Sequence, residues 1–396
     1  MSAEFTGYRR PDGRIGVRNH IAVIPTSVTA SAVANQIAAE SDTQVRATPH
    51  QIGASQPRVA RKHTERVLCG IGQNPNVAAT LLVELGTEDS DANELADQIS
   101  ESGKPTSTLT IREVGSVAES IKKGTDKVSD FQEHAKKARQ ESADISEIIF
   151  GVECGGSDAT SGIAANPAVG SASEQLVEAG GTACFSETPE FIGAEHILAE
   201  RCVNDEVRAK LLEKVDKREK LADLMGVDMR GAQPSPGNQE GGLTTIEEKS
   251  LGAISKGGNA PVRGIVDYAE RLPTGGGLVL MDTPGYDVES VVGKVAGGAQ
   301  VIAFTTGRGS TTGNPIAPVI KVTGNPNTWS RMSNNIDVNA STVVQGESLS
   351  SVGTRLLEKI VAVSDGELTE AERRGMQEFA INELQPKELA SLEEIA

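Results

Sequence analysis

The sequence predicts an α/β protein of two domains, each with a mostly parallel sheet and glycine-rich loops at the strand ends. Three observations carry this. Apolar runs of four to seven residues repeatedly enter Gly-rich polar loops: "HIAVIPTS" at 20–27, "NVAATLLVELGTED" at 76–89, "SEIIFGVECGGSD" at 146–158, "GGLVLMDTPGYD" at 276–287 and "AQVIAFTTGRGS" at 299–310. Short apolar runs bounded by Gly and Pro read as strands buried on both faces. Helix-prone stretches such as "VTASAVANQIAAE" alternate with them, which is the pattern of a parallel sheet with crossover helices. At 396 residues the chain is also long for one core.

A boundary is placed in "DKVSDFQEHAKKARQESADIS", 126–146. It is polar and helix-prone, and reads as a helix closing the first domain. Residues 1–140 then form an N-terminal α/β domain, and 141–396 a C-terminal one carrying most of the motifs. A second polar stretch, 198–226, reads as a solvated amphipathic helix pair outside the sheet.

Composition narrows the function. Net charge is −17, from 55 acidic and 38 basic residues. That surface repels phosphate backbones, so no nucleic-acid partner is expected. Dispersed acidic residues with 3% aromatics fit a salt-adapted, halophilic source. No run of 18 apolar residues is present and the N-terminus has no signal-peptide core, so no membrane association and a cytoplasmic location are expected. The four cysteines show no CxxC pairing, which argues against a disulfide framework.

The first chemical cluster is "ECGGSD", where Glu153, Cys154, Ser157 and Asp158 surround Gly155 and Gly156. The stretch "SETPEFIGAEH" adds Glu187, Glu190, Glu195 and His196. Carboxylates, one imidazole and one thiol suit a divalent metal. Glu153, Cys154, Asp158, Glu187 and His196 are the candidate ligands; the bland alternative for Glu195 and His196 is a solvated helix start. The second cluster, "SPGNQEGGLTTIEEKSLGAISKGG" at 235–258, holds Asn238, Lys249 and Lys256. Thr244 and Thr245 precede Glu247 and Glu248 in a capping pattern. Lys249 then falls in the first turns of a helix, against the dipole preference, and is a candidate catalytic group. Lys256 and Asn238 are candidate substrate contacts. The third cluster offers Asp282 at a strand end as a catalytic candidate. It also offers Arg308 between two glycines as a carboxylate fork, with Lys321 nearby in sequence. His50, in "TPHQIGASQ", reads as a base, a metal ligand or a structural turn histidine. No G-x-S-x-G elbow and no G-x-G-x-x-G after a strand is present. Metal, base and cations together suit proton abstraction beside a carboxylate followed by loss of a β-substituent.

Six stretches carry a family resemblance: "GYRRPDGRIGVRNH", "ECGGSDATSGIAANPAVG", "SETPEFIGAEHILAER", "SPGNQEGGLTTIEEKSLG", "MDTPGYD" and "FTTGRGSTTGNPIAPVIKVTGN". They resemble the large domain of the altronate and galactarate dehydratases, and equally the large subunit of (2R)-sulfolactate sulfo-lyase. The resemblance spans about Gly7 to Asn339. It implies a lyase activated by Fe2+ or Mn2+ that dehydrates a sugar acid to a 2-keto-3-deoxy acid. Release of sulfite from a sulfonated 2-hydroxy acid is the first alternative, and a catalytically silent binding or scaffolding subunit the second. It further implies a separate small SAF-like subunit, and a homo-oligomer is expected. The sequence departs from the family pattern at Ala54 and Thr87, where many members carry cysteine. Cys154 alone matches, and one thiolate does not hold an iron–sulfur cluster. A mononuclear metal on oxygen and nitrogen ligands is therefore expected instead, with Ala54 and Thr87 placed near Cys154.

Overall fold

The computed structural model describes residues 4–384. The strands are β1 (Glu4–Arg9), β2 (Ile15–Gly16), β3 (His20–Pro25), β4 (Val45–Ala47), β5 (Val77–Glu84), β6 (Thr106–Thr110) and β7 (Gln140–Asp144), followed by β8 (Ile149–Cys154), β9 (Thr182–Phe185), β10 (Val262–Val266), β11 (Gly277–Met281), β12 (Val301–Thr305), β13 (Val319–Thr323) and β14 (Val338–Asn339). Two parallel sheets result. One has order β4-β3-β5-β6, the other β10-β11-β9-β8-β12-β13-β14. Their central strands β3 and β8 are buried along their whole length, as continuous apolar runs require. The fold is thus α/β with separate parallel sheets.

The stretch at 126–146 divides differently from its helical reading. A helix, Val117–Ala135, is capped by Ser116, which accepts from Glu119 N; the chain then enters β7. β7 pairs antiparallel with β1, Glu4 opposite Asp144. "QESAD" has no apolar alternation because only Ala143 of β7 is buried, so its strand character comes from its partner. Phe5, Ile15 and Val17 join the core of the seven-stranded sheet. A division near residue 140 is thus a proposal for the four-stranded unit, with β1 crossing it. At 198–226 the polar stretch forms two helices, Glu195–Glu200 and Asp205–Leu224.

Buried amides stitch the two sheets together. Asn74 Nδ2 donates to Val295 O (2.7 Å) and Ala299 O (3.0 Å), and Asn76 Nδ2 donates to Gln300 O (2.9 Å) and Ile316 O (3.1 Å). A buried amide left unpaired would cost about 1–3 kcal/mol, so these contacts fix how the helix Arg58–Gln73 lies on the helix Asp287–Ala296. The larger sheet changes winding direction between β8 and β12. Loops leaving such neighbours part and form a crevice at the carboxyl ends of the strands. Among the described residues, no helix is long and apolar enough to cross a membrane.

Candidate functional site

The crevice is built from the loops after β8, β9 and β12 and from the helix Ile246–Ile254 with its following turn, Ser255–Gly257. The β8 and β12 loops are tied by Gly155 N to Thr305 O (3.0 Å) and Arg308 N to Gly156 O (3.1 Å). Two glycines make this possible for different reasons. A Cβ on Gly155 would sit 1.9 Å from Asp287 Oδ2 and 2.7 Å from Phe304 Cζ, while Gly156 has φ +62°. The pair in "ECGGSD" therefore answers a close approach and a left-handed turn.

Cys154, Glu187 and Glu190 each present a donor atom, and all three atoms lie within 4.8 Å of one another. All three side chains are buried. Glu187 has φ 66° without being glycine, a conformation that costs about 1–3 kcal/mol and clusters at functional sites. The strain turns its carboxyl inward, where Oε2 is buried without a hydrogen-bond partner. A thiol, two carboxylates and an orphaned carboxyl oxygen fit a divalent transition metal.

Two buried lysines complete the cluster. Lys256 Nζ lies 2.8 Å from Cys154 Sγ and 2.8 Å from Glu190 Oε2. Lys294 Nζ donates to Glu153 Oε2 (2.6 Å), Val152 O (2.9 Å) and Ser186 Oγ (2.5 Å). Lys249 Nζ is 4.0 Å from Glu190 Oε1. Its helix is capped as the sequence pattern implied, Glu248 N donating to Thr245 Oγ1.

The electrostatics divide the acids. Burial pushes Glu153 up, but the Lys294 ammonium, the Glu187 hydrogen bond and the Lys256 charge together outweigh it and hold the carboxyl at about 2. Burial is likewise overcome at Glu190, which Lys256 and Lys249 keep below its ordinary range. Glu187 is raised well above it, by burial and then by the Glu153 and Glu190 charges, and it hydrogen-bonds Glu153. Burial and Glu190 push the Cys154 thiol to about 12. Two carboxylates thus face two ammoniums, while Glu187 and Cys154 hold protons. Asp287, raised to about 7 by burial and then by Glu153 and Glu190, packs at the start of its helix against Gly155. Its carboxyl accepts from its own backbone N–H.

Glu153, Cys154, Glu187, Lys249 and Lys256 are thus brought together. Arg308, Asn238 and Asp158 form an adjoining rim. Arg308 donates to Gly237 O (2.9 Å) and Glu240 Oε2 (3.2 Å), and Asn238 Nδ2 donates to Ser157 O (3.0 Å). Asp158 is not a free donor: Oδ1 accepts from Thr160 Oγ1 and Ser161 N, and Oδ2 from Asn325 Nδ2 at 2.7 Å. Asp282 accepts from Thr188 Oγ1 (2.6 Å) and pairs with Arg218 (3.2 Å), which makes it a support of the β9 loop. His50 is locked in the other sheet, Nε2 on Pro25 O and Nδ1 on Ile52 N. His196 is exposed. Lys321 points toward Met376 Sδ, at 3.8 Å. Ala54 and Thr87 follow β4 and β5; among the described residues no hydrogen bond joins either to the Cys154 cluster.

Lys294 and Asp287 were not among the residues singled out from the sequence, and Glu190 was noted without being chosen as a ligand. Lys294 sits inside the apolar run "SVVGKVAGG", and a lysine there was the available signal. Asp287 ends "MDTPGYD", where Asp282 drew attention instead.

A parallel α/β fold with a buried carboxylate–thiol–lysine cluster at its strand ends has the arrangement of an enzyme. The pattern described as "D-galactarate/Altronate dehydratase, C-terminal" matches residues 145–387, and "D-galactarate dehydratase/Altronate hydrolase, second domain" matches residues 7–136. The chain belongs to the D-galactarate/altronate dehydratase family and is by that membership a lyase. It is 40% identical to a (2R)-sulfolactate sulfo-lyase subunit beta of Chromohalobacter salexigens, over 96% of this chain and 97% of the relative. It is 32% identical to an altronate dehydratase of Bacillus subtilis, over 95% of this chain and 77% of the relative. An altronate dehydratase of Escherichia coli is 31% identical, over 94% and 76% respectively.

Proposed function

We propose that the chain is a metal-dependent lyase that dehydrates a sugar acid of the altronate or galactarate type to a 2-keto-3-deoxy acid. The observation that carries this reading is the buried trio Cys154, Glu187 and Glu190 with its orphaned carboxyl oxygen. These three residues would hold the metal, Fe2+ or Mn2+ by the donor set. When bound, it supplies Lewis-acid stabilisation of the charge that develops beside the substrate carboxylate.

The chain's own groups account for the remaining work. Arg308 on the rim offers a fork to the substrate carboxylate. Asp287 takes the proton from the carbon bearing the 2-hydroxyl, and Lys249 protonates the departing 3-hydroxyl so that water leaves. The resulting enol becomes the 2-keto acid on protonation at the third carbon. Lys256 and Lys294 hold Glu190 and Glu153 ionised and fixed. The loops exclude water from the cluster and so strengthen each electrostatic contact.

A second reading is sulfite release from (2R)-sulfolactate by the same proton abstraction. It is favoured by the match to the sulfo-lyase subunit along nearly its full length. That relative's name, subunit beta, also supports a separate small partner for this chain. Both readings are tested by assaying the purified protein, with Fe2+ or Mn2+ and with a chelator, for 2-keto acid from altronate and galactarate and for sulfite from sulfolactate. Metal-dependent 2-keto acid from a sugar acid supports the first reading. Sulfite alone replaces it with the second, and no product from any substrate overturns both.

A further inference from the structure

A cavity of about 360 Å3 opens between the helices Arg58–Gln73 and Asp205–Leu224, the loops after β10 and β11, and Asn382 and Leu384. Its lining runs against the character of the chain. Lys62, Arg66, Lys214, Lys217 and Arg218 face it in a protein of net charge −17. Lys214 is paired with Asp267 and lies 3.5 Å from Asp282, and Arg218 is 3.2 Å from Asp282. Among the described residues, the Lys62 and Lys217 side chains have neither a hydrogen bond nor an ion pair. Among the described residues five cations and two carboxylates line this half-open space, and Lys62 and Lys217 give it positive charge that attracts an anion.

The floor is equally specific. His63 stacks on Tyr268, with ring centroids 4.8 Å apart and 12° between planes. Burial and Arg66 push the His63 pKa down to about 4, so the ring is neutral. One ring nitrogen bonds the backbone of Asn382, and Nε2 is buried with no partner. A neutral ring in this tautomer presents Nε2 as an acceptor waiting for a donor. Val59, Leu221 and Pro284 supply apolar wall.

We propose that this cavity is a second ligand site, taking a small organic anion, a carboxylate or phosphate ester, that also carries a hydroxyl. The anionic groups meet Lys62 and Lys217, and the hydroxyl donates to His63 Nε2. Its wall residue Asp282 accepts from Thr188, next in sequence to Glu187, so the site lies one hydrogen bond from the loop of the metal cluster without sharing its donors.

The test is calorimetric titration of the full chain with 3-phosphoglycerate and with 3-phosphopropionate, which lacks the hydroxyl. Saturable binding of 3-phosphoglycerate is expected, several-fold tighter than that of 3-phosphopropionate. The double variant Lys62→Gln/Lys217→Gln should weaken it by about tenfold or more. His63→Phe should abolish the preference between the two probes. Cys154→Ser should leave binding unchanged, which separates this site from the metal cluster. Absence of saturation up to about 10 mM, affinity unaltered in the double variant, or loss of binding in Cys154→Ser would each overturn the proposal.

Discussion

The Lys256 ammonium lies 2.8 Å from the Cys154 sulfur, with both side chains buried. It lies equally close to Glu190 Oε2 and so supplies positive charge among the donors expected to hold a metal. Lys256→Met leaves Glu190 without this counter-ion. Breaking a buried pair from one side costs about 3–5 kcal/mol, so the urea midpoint should fall by that equivalent and turnover by about 10²-fold or more. Added Mn2+ should recover more of the midpoint in the variant than in the parent, because it supplies the missing charge. A midpoint equal to the parent's, with or without Mn2+, would refute this view of the pair.

Glu187 should show activity and stability moving apart. Its φ of 66° is cheap only for glycine, and its carboxyl is buried with one oxygen unpaired. Glu187→Gly relieves both costs, so thermal stability should hold or rise, by about 1 kcal/mol at most. Bound metal should be lost and turnover should drop at least about 10²-fold. Elemental analysis showing full metal content in the purified variant would remove Glu187 from the ligand set.

Asp158 is expected to matter for loop structure. Its two oxygens gather Thr160, Ser161 and Asn325. Asn at this position turns an amide donor toward another donor, and such a mismatch costs about 1–3 kcal/mol. Asp158→Asn should therefore lower the melting temperature as well as raise KM, since the same loops carry Arg308. Unchanged melting with a selective loss of kcat would instead make Asp158 a member of the chemical cluster.

The parallel sheets were legible because β3, β5, β8, β11 and β12 are buried on both faces and so are apolar throughout. β7 was not, since "QESAD" becomes a strand only by pairing with β1. At the site, "ECGGSD" announced itself through its glycine pair and "TTIEEK" through its cap. What the sequence could not show was which polar residues satisfy one another. Asp158 and Asp282 resembled Glu187 in one dimension, yet both are saturated by hydrogen bonds, while Glu187 keeps a free oxygen. His50 was ambiguous for the same reason, its two ring nitrogens being taken by backbone groups that are distant or unmarked in the sequence. Lys294 needs β8 beside its helix before it meets Glu153.

Buried histidines weaken the fold on the acid side, His20 and His50 beside His63. Burial and the neighbouring Arg46 and Arg18 hold the His20 pKa down to about 3, and burial holds His50 at about 4, against 6.5 in an unfolded chain. The sign follows from proton uptake. Below pH 6.5 the unfolded state binds protons that the folded state refuses, so the stabilisation is complete above 6.5 and is lost as pH falls toward the folded values. The slope is about 1.4 kcal/mol per pH unit for each histidine between pH 6.5 and pH 5. Asp287 and Glu289, both raised to about 7, bind protons in the folded state over the same interval and oppose this loss, so the histidine effect is read as a difference between parent and variant. In His50→Gln the midpoint near pH 7 should be lower, because the Pro25 and Ile52 contacts are perturbed, but relative to the parent it should lose about 1.4 kcal/mol less per pH unit toward pH 5. Parallel slopes in the two proteins would mean that His50 takes up its proton without unfolding.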